Sequence, residues 1–164
     1  MLPRPMGRLA VALGCGFTAG AALVACPGPS GPCQPYQSGA NLTSPTQSLS
    51  NDVVPIFRGS CSLPSCHSAA VASGTLVLEG DAGTIRANIV GVASGEVPSL
   101  SYVAASNPGE SYLMHKIDGD TCSLSGCGPD GGLCDVTMPY TGQPLPTATR
   151  DIIRRWIAQG ALDN

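Results

Sequence analysis

The sequence predicts a mainly α-helical domain of about four short helices joined by long Gly/Pro-rich loops. Three observations point there. A strongly amphipathic stripe lies near the C-terminus. Earlier segments carry helix start and stop residues around short apolar faces. The chain of 164 residues also holds 21 Gly and 15 Pro, which break it into short elements.

Taken in order, "NDVVPIF" (51–57) offers Asn51 or Asp52 as a cap before Val53, Val54, Ile56 and Phe57. Pro55 is tolerated only in a first turn, so this helix is short and starts late. "GTLVLEG" (74–80) supports a short extended segment and nothing longer. In "GDAGTIRANIVG", Asp81 is the expected N-cap, Ile85, Ile89 and Val90 share a face, and Gly91 is the stop. "NPGESYLMHKIDG" places Asn107 as cap, Pro108 at the first helical position and Glu110 where a capping box needs it. Leu113 and Ile117 then meet at i, i+4 spacing. The last helix, "TATRDIIRRWIAQGA", aligns Ile152, Ile153, Trp156 and Ile157, with Arg150, Arg154 and Arg155 expected away from that stripe and Gly160 ending it.

The N-terminal region has a different character. Arg4 and Arg8 precede the apolar, small-residue run "LAVALGCGFTAGAALVA", the pattern of an export signal over residues 1–25. "LVAC" (23–26) resembles the bacterial lipobox, in which cleavage precedes the cysteine and that cysteine is lipidated. Cys26 is then the lipidation site. The expected location is extracytoplasmic, with the chain lipid-anchored to a membrane surface on the periplasmic or outer-membrane side. An oxidising compartment of that kind permits disulfides. Residues 26–50 are rich in Pro, Ser, Gly and Gln and read as a tether, leaving 51–164 as the folded domain.

Without the signal, six basic residues (Arg58, Arg86, Lys116, Arg150, Arg154, Arg155) face 11 acidic ones. No basic run suits nucleic acid. The domain is thin in aromatics, with Phe57, Tyr102, Tyr112, Tyr140 and Trp156. A core this poor in large side chains calls for disulfides or a large apolar cofactor.

The chemistry concentrates in "RGSCSLPSCHS" (58–68), where Cys61, Cys66 and His67 form C-x4-C-H. Covalent haem attachment normally uses C-x-x-C-H. Two thiols bond the haem, and the adjacent histidine is thereby placed as an iron ligand. Cys66-His67 keeps the adjacency, and Pro64 suits a turn that bulges the gap. The sixth ligand is often a methionine; Met114 lies within an expected helix, whereas Met138 lies in the loop "VTMPYTGQPLP".

Other readings of the same residues stay open at this level. Cys61 and Cys66 could close a disulfide loop, leaving His67 idle. "CSLSGC" (122–127) nearly repeats "CSLPSC" (61–66), but Gly128 stands where a second histidine would be. Cys33, Cys122, Cys127 and Cys134 make an even set of disulfide candidates with three connectivities. Zinc lacks a placed fourth ligand, and a thiol oxidoreductase would want C-x-x-C. "DGDTCSLSGCGPDGGLCD" (118–135) has alternating carboxylates, yet Cys122 occupies the third calcium-loop position, and the stretch reads as a disulfide-pinned loop. His115 is the other histidine that could serve iron, but its helical position beside Lys116 suggests ordinary exposure. No Ser-His-Asp set, paired-carboxylate site or phosphate loop stands out, and no independent enzyme is expected.

The order "VPIF…C…CH", "GESYLMHKI", "MPYTGQPLP", "IIRRWIAQGA" resembles the class I cytochrome c domain. More narrowly, it is similar to the divergent bacterial lipoprotein cytochromes labelled planctomycete-type, and the likeness spans about residues 53–162. The resemblance implies a cytochrome c-like fold carrying one covalent haem c. Cys61 and Cys66 would be the thioether donors, His67 the proximal ligand and Met138 the distal ligand. Phe57, Ile85, Ile89 and Trp156 would be wall or core residues, and the closing helix would pack back on the first. The wider cysteine spacing departs from the usual pattern but occurs among multihaem cytochromes. The implied role is single-electron transfer to a redox protein partner in the envelope. The contrasting expectation is a haem-free, disulfide-stapled lipoprotein of the same fold that binds another envelope component.

Overall fold

The structure, a computed structural model, describes residues 34–127, 134, 137–140 and 143–164. The expected signal segment, Cys26 and Cys33 lie outside the described residues. Among those described, the α-helices are α1 (Val54–Ser60), α2 (Ala82–Ile89), α3 (Tyr112–Asp118) and α4 (Thr147–Ala158). Residues 76–79 run extended without joining a strand. Pairing is limited to isolated bridges at Val90–Val103, Ala93–Ser101 and Ser101–Ser111. The mainly helical class is therefore as the sequence predicts.

Pro55 sets the start of α1. It lacks an N–H and lies in the first turn, where none is needed. Upstream the chain stays coiled, with Leu49–Val53 forming a π-helical turn. Neither Asn51 nor Asp52 caps α1, which Val53 precedes; the π-helical turn begins after Ser48, whose backbone N–H donates to Asp52 Oδ2 at 2.7 Å. Asp52 thus reaches back from inside the first turn. At the other end, the Phe57 carbonyl accepts both the Cys61 and Ser62 N–H groups at 2.8 Å, so α1 stops on the first cysteine of the motif.

The expected cap of α2 is present: Asp81 Oδ1 accepts from the Thr84 N–H at 2.7 Å. That bond holds the Asp81 carboxyl below the usual range. Gly91, at φ +73°, turns the chain away after the helix. For α3 the expected start is corrected. Asn107 makes no side-chain cap, Pro108–Glu110 form a 3-10 turn, and the α-helix begins only at Tyr112. Ser111 takes over the junction: its Oγ accepts the Ala104 N–H and donates to the Asn107 carbonyl, both at 2.9 Å. A hydroxyl bonded four and seven residues back ties Ser111 to the preceding turn and competes with helix propagation.

Leu49, Phe57, Ile85, Ile89, Ile117, Ile153, Trp156 and Ile157 form the centre of the core, each essentially inaccessible. α4 packs on the π-helical turn that leads into α1, and α3 packs on α4. A smaller cluster of Val97, Tyr112, Cys127 and Cys134 sits beside it.

Two expectations about polarity are overturned. Arg150 and Arg154 do not face solvent; they are 9% and 6% exposed. Each donates to Asp118 of α3 at 2.5 Å, one to either carboxylate oxygen. The ring of Tyr36 lies over both guanidinium groups, 4.4 and 5.0 Å away. Amphipathicity alone placed these arginines outside because it cannot see a carboxylate and a ring arriving from distant chain positions.

The second correction concerns the segment read as tether. Residues 34–50 are laid along α4 rather than left free. The Tyr36 N–H donates to Asp120 Oδ2 at 2.6 Å and Ser38 Oγ to Asp151 Oδ1 at 2.8 Å. The Gln47 N–H donates to Gln159 Oε1 at 2.8 Å, and Ser50 Oγ donates to Asp163 at 2.6 Å. Gln47, Ser48 and Leu49 are buried. A Ser/Gln/Pro composition that cannot form its own core can still bond to one already built.

Two variants test these contacts. Asp118→Ala removes the shared carboxylate from two buried guanidinium groups, leaving Arg154 only its 3.4 Å pair with Asp151 and Arg150 no ion pair among the described residues, and should cost about 3–5 kcal/mol in urea unfolding. Leu49→Ala should cost about 2–5 kcal/mol if the domain starts before residue 51, and nearly nothing if the segment is a free tether.

Candidate functional site

The helix end delivers Cys61, and backbone bonds close the loop behind it. The His67 N–H donates to the Cys61 carbonyl at 3.1 Å, spanning the whole C-x4-C-H stretch. Inside it, the Cys66 N–H donates to the Leu63 carbonyl at 2.8 Å, so Leu63–Cys66 form a turn containing Pro64. Leu63, Pro64 and Ser65 are exposed. The extra length of the motif is thus carried outward, as the bulge expectation requires. On the far side, the Leu78 N–H donates to the His67 carbonyl at 2.9 Å and the Ser73 N–H to the Cys66 carbonyl at 3.1 Å.

The histidine ring is oriented by a backbone group. His67 Nδ1 lies 3.3 Å from the Leu76 carbonyl oxygen. A carbonyl only accepts, so Nδ1 carries the hydrogen. The neutral ring then keeps its lone pair on Nε2, the arrangement of a ligating histidine held by its other nitrogen. Leu76 follows directly on a 3-10 turn at Ser73–Thr75, inside the stretch 74–80 that the sequence reads as extended and to which it assigns no role. No side-chain signal could reveal that a main-chain oxygen there would face the histidine.

Cys61 and Cys66 are both free thiols. Cys61 packs against the main core. Burial, with a smaller contribution from Cys66, pushes its thiol up to about 11. A thiol so protonated at neutral pH is neither a ready nucleophile nor a ready metal thiolate. Among the described residues, no three His, Cys, Asp or Glu side chains converge as metal donors.

Met138, half-buried, also packs against the main core. Its N–H donates to the Lys116 carbonyl of α3 at 2.8 Å. Phe57, Ile85, Ile89 and Trp156 belong to that same core. Cys61 and Met138, 77 positions apart in sequence, therefore border one apolar body. A cavity of about 230 Å³ opens nearby, lined by Leu76, Asn88, Val92 and Tyr102 among others, but by none of the four motif residues. It is smaller than the ~300 Å³ at the low end of small-molecule pockets.

The remaining cysteines behave differently. Cys127 and Cys134 form a disulfide, and Cys122 is also disulfide-bonded. The near-copy "CSLSGC" is thus not a self-closed loop, because its second cysteine pairs forward with Cys134. The two described carboxylates of that region are spent internally. Asp118 binds the two arginines, and Asp120 binds the Tyr36 N–H and His115.

His115 departs from the exposed histidine expected. Its Nδ1 lies 2.8 Å from Asp120 Oδ1 and its Nε2 3.0 Å from the Gly109 carbonyl. Both partners accept, so both nitrogens donate and neither offers a lone pair to iron. Burial lowers its pKa, but the Asp120 bond and charge, the Gly109 carbonyl and the Asp118 charge outweigh that and raise it.

The donor types present are those that covalent haem attachment uses: two free thiols, a histidine whose Nε2 makes no hydrogen bond among the described residues, and a thioether packed against the same core as Cys61. No protein family, characterised protein or solved structure matches this chain. No helix of the described residues is long and apolar enough to cross a membrane.

The raised His115 value gives a pH test. Its stabilising contribution is complete below the ordinary value of 6.5 and is lost as pH rises through the higher folded-state value. The urea midpoint should fall across that window, and His115→Gln should flatten the fall.

Proposed function

We propose that this chain is an extracytoplasmic, lipid-anchored monohaem c-type cytochrome that carries single electrons. The observation that carries the reading is the state of the C-x4-C-H loop. Its two cysteines are free thiols although Cys122, Cys127 and Cys134 are all oxidised, and His67 Nδ1 is committed to the Leu76 carbonyl with Nε2 left open. A disulfide loop with an idle histidine would need neither feature.

In this reading Cys61 and Cys66 hold haem c through thioethers, and His67 and Met138 are the axial ligands. Bound haem iron supplies a one-electron couple, whose potential a methionine ligand raises. The residues of the chain hold that geometry fixed. α1 sets Cys61, the Leu76 carbonyl fixes the His67 ring plane, and α3 holds the backbone of Met138. With His67 and Met138 both holding the iron, no position would be left for a substrate, so the role proposed is transfer rather than catalysis. Cys26 would carry the lipid, and the partner would be another redox protein of the envelope.

The protein should be exported together with a c-type maturation system. Covalent haem staining on a denaturing gel and an α-band after reduction are expected. Met138→Ala should keep the haem attached and lose the low-spin methionine signature. Folded, exported but colourless protein would sink this proposal in favour of a haem-free, disulfide-stapled envelope lipoprotein.

A further inference from the structure

The segment that carries Met138 is tied to α3 and its C-terminal residue at three points. Lys116 is 7% exposed, an unusual place for a lysine. Its Nζ donates to the Cys134 carbonyl at 2.5 Å and to Glu96 Oε2 at 3.3 Å. Glu96 is itself held by the Tyr112 hydroxyl. The Lys116 main-chain carbonyl meanwhile accepts the Met138 N–H at 2.8 Å. One residue therefore grips the returning chain twice, by its side chain at residue 134 and by its backbone at residue 138. Cys134 is pinned from its other side by the buried disulfide to Cys127.

The third point is Gly119, the left-handed residue that ends α3 at φ +76°. Thr137, the neighbour of Met138, lies so close that a Cβ at Gly119 would sit 2.8 Å from Thr137 Oγ1. Only glycine gives both the backbone conformation and that approach.

From this geometry we infer that Lys116, Gly119 and the Cys127–Cys134 disulfide are positioning elements for Met138, fixing where its thioether stands. The inference rests on the reading of Met138 as the distal ligand for its purpose, but the clamp itself does not depend on haem. An apolar residue at 116 would remove the ammonium that satisfies the Cys134 carbonyl and Glu96. The segment would then keep the Met138 backbone bond, the disulfide and the long Tyr112 hydroxyl contact to the Cys134 carbonyl at 3.5 Å, but lose its charged support.

Hydrogen exchange on the folded full chain reads the clamp directly. The Met138 amide should be protected in the unaltered protein. It should lose at least about tenfold in protection in Lys116→Met and in Cys127→Ser/Cys134→Ser, while Ile153 and Trp156 of α4 keep theirs. Gly119→Ala, which pushes on Thr137 from beneath, should do the same and serves if either other variant fails to fold. On haem-loaded protein these variants should weaken the ferric methionine–iron charge-transfer band and speed binding of added imidazole, with the haem still covalently attached. An unprotected Met138 amide in the unaltered chain, or protection unchanged in the folded variants, would overturn the clamp. Loss of protection with the band and imidazole binding unchanged would show that the clamp does not govern the ligand. A clamp that behaves as expected in a chain that never takes up haem would instead defeat the electron-transfer reading alone.

Discussion

The carboxylate of Asp118 is the constraint on which the rest of the molecule depends. A buried charge must be paired, and Asp118 is paired twice, with guanidinium groups presented one turn apart on α4. That fixes α4 against the end of α3 in both distance and rotation. The same guanidinium groups then carry the Tyr36 ring, so the N-terminal segment takes its place from the pair as well. Two residues further on, Asp120 holds the Tyr36 backbone and His115. The end of α3 is thus a polar hub in a domain otherwise built on a modest apolar core.

The candidate site draws on that hub from one side and on α1 from the other. α1 is only seven residues long, but Phe57 buries it deeply and its carbonyl stops the chain on Cys61. The Met138 segment is attached to α3, which the hub holds to α4. The two halves of the site therefore reach the same apolar body along separate routes, one local and one through ion pairs. A stapled, glycine-rich chain with few aromatics can hold such an arrangement because each route relies on backbone carbonyls and a few buried charges more than on bulk.

The helices and the motif were legible in the sequence because they depend on neighbours in sequence. Asp81 caps within three residues, the stripe of Ile153, Trp156 and Ile157 repeats with the helix, and Cys66-His67 is a contiguous pair. What the sequence hid was set by distant partners. Nothing near Arg150 or Arg154 announces Asp118 and Tyr36. Nothing in "QPYQSGANLTSPTQSLS" (34–50) announces the side chains of α4 that receive it. The Leu76 carbonyl carries no residue signature at all. Lys116 did leave a trace: it stands at i, i+4 from Tyr112, on a face where a charge has to find a partner. The shift in the start of α3 has a similar origin, since Ser111 spends its hydroxyl on the preceding turn.

The stitching of residues 34–50 along α4 also has a mechanical meaning. Its bonds reach Asp120, Asp151, Gln159 and Asp163 at intervals along a considerable length of chain. Tension applied through the chain ahead of residue 34 meets several attachments before it reaches Leu49 and α1. The load is shared with the last helix before it can bear on the cysteine loop. The polar strip that looked like slack is a strain relief for the site.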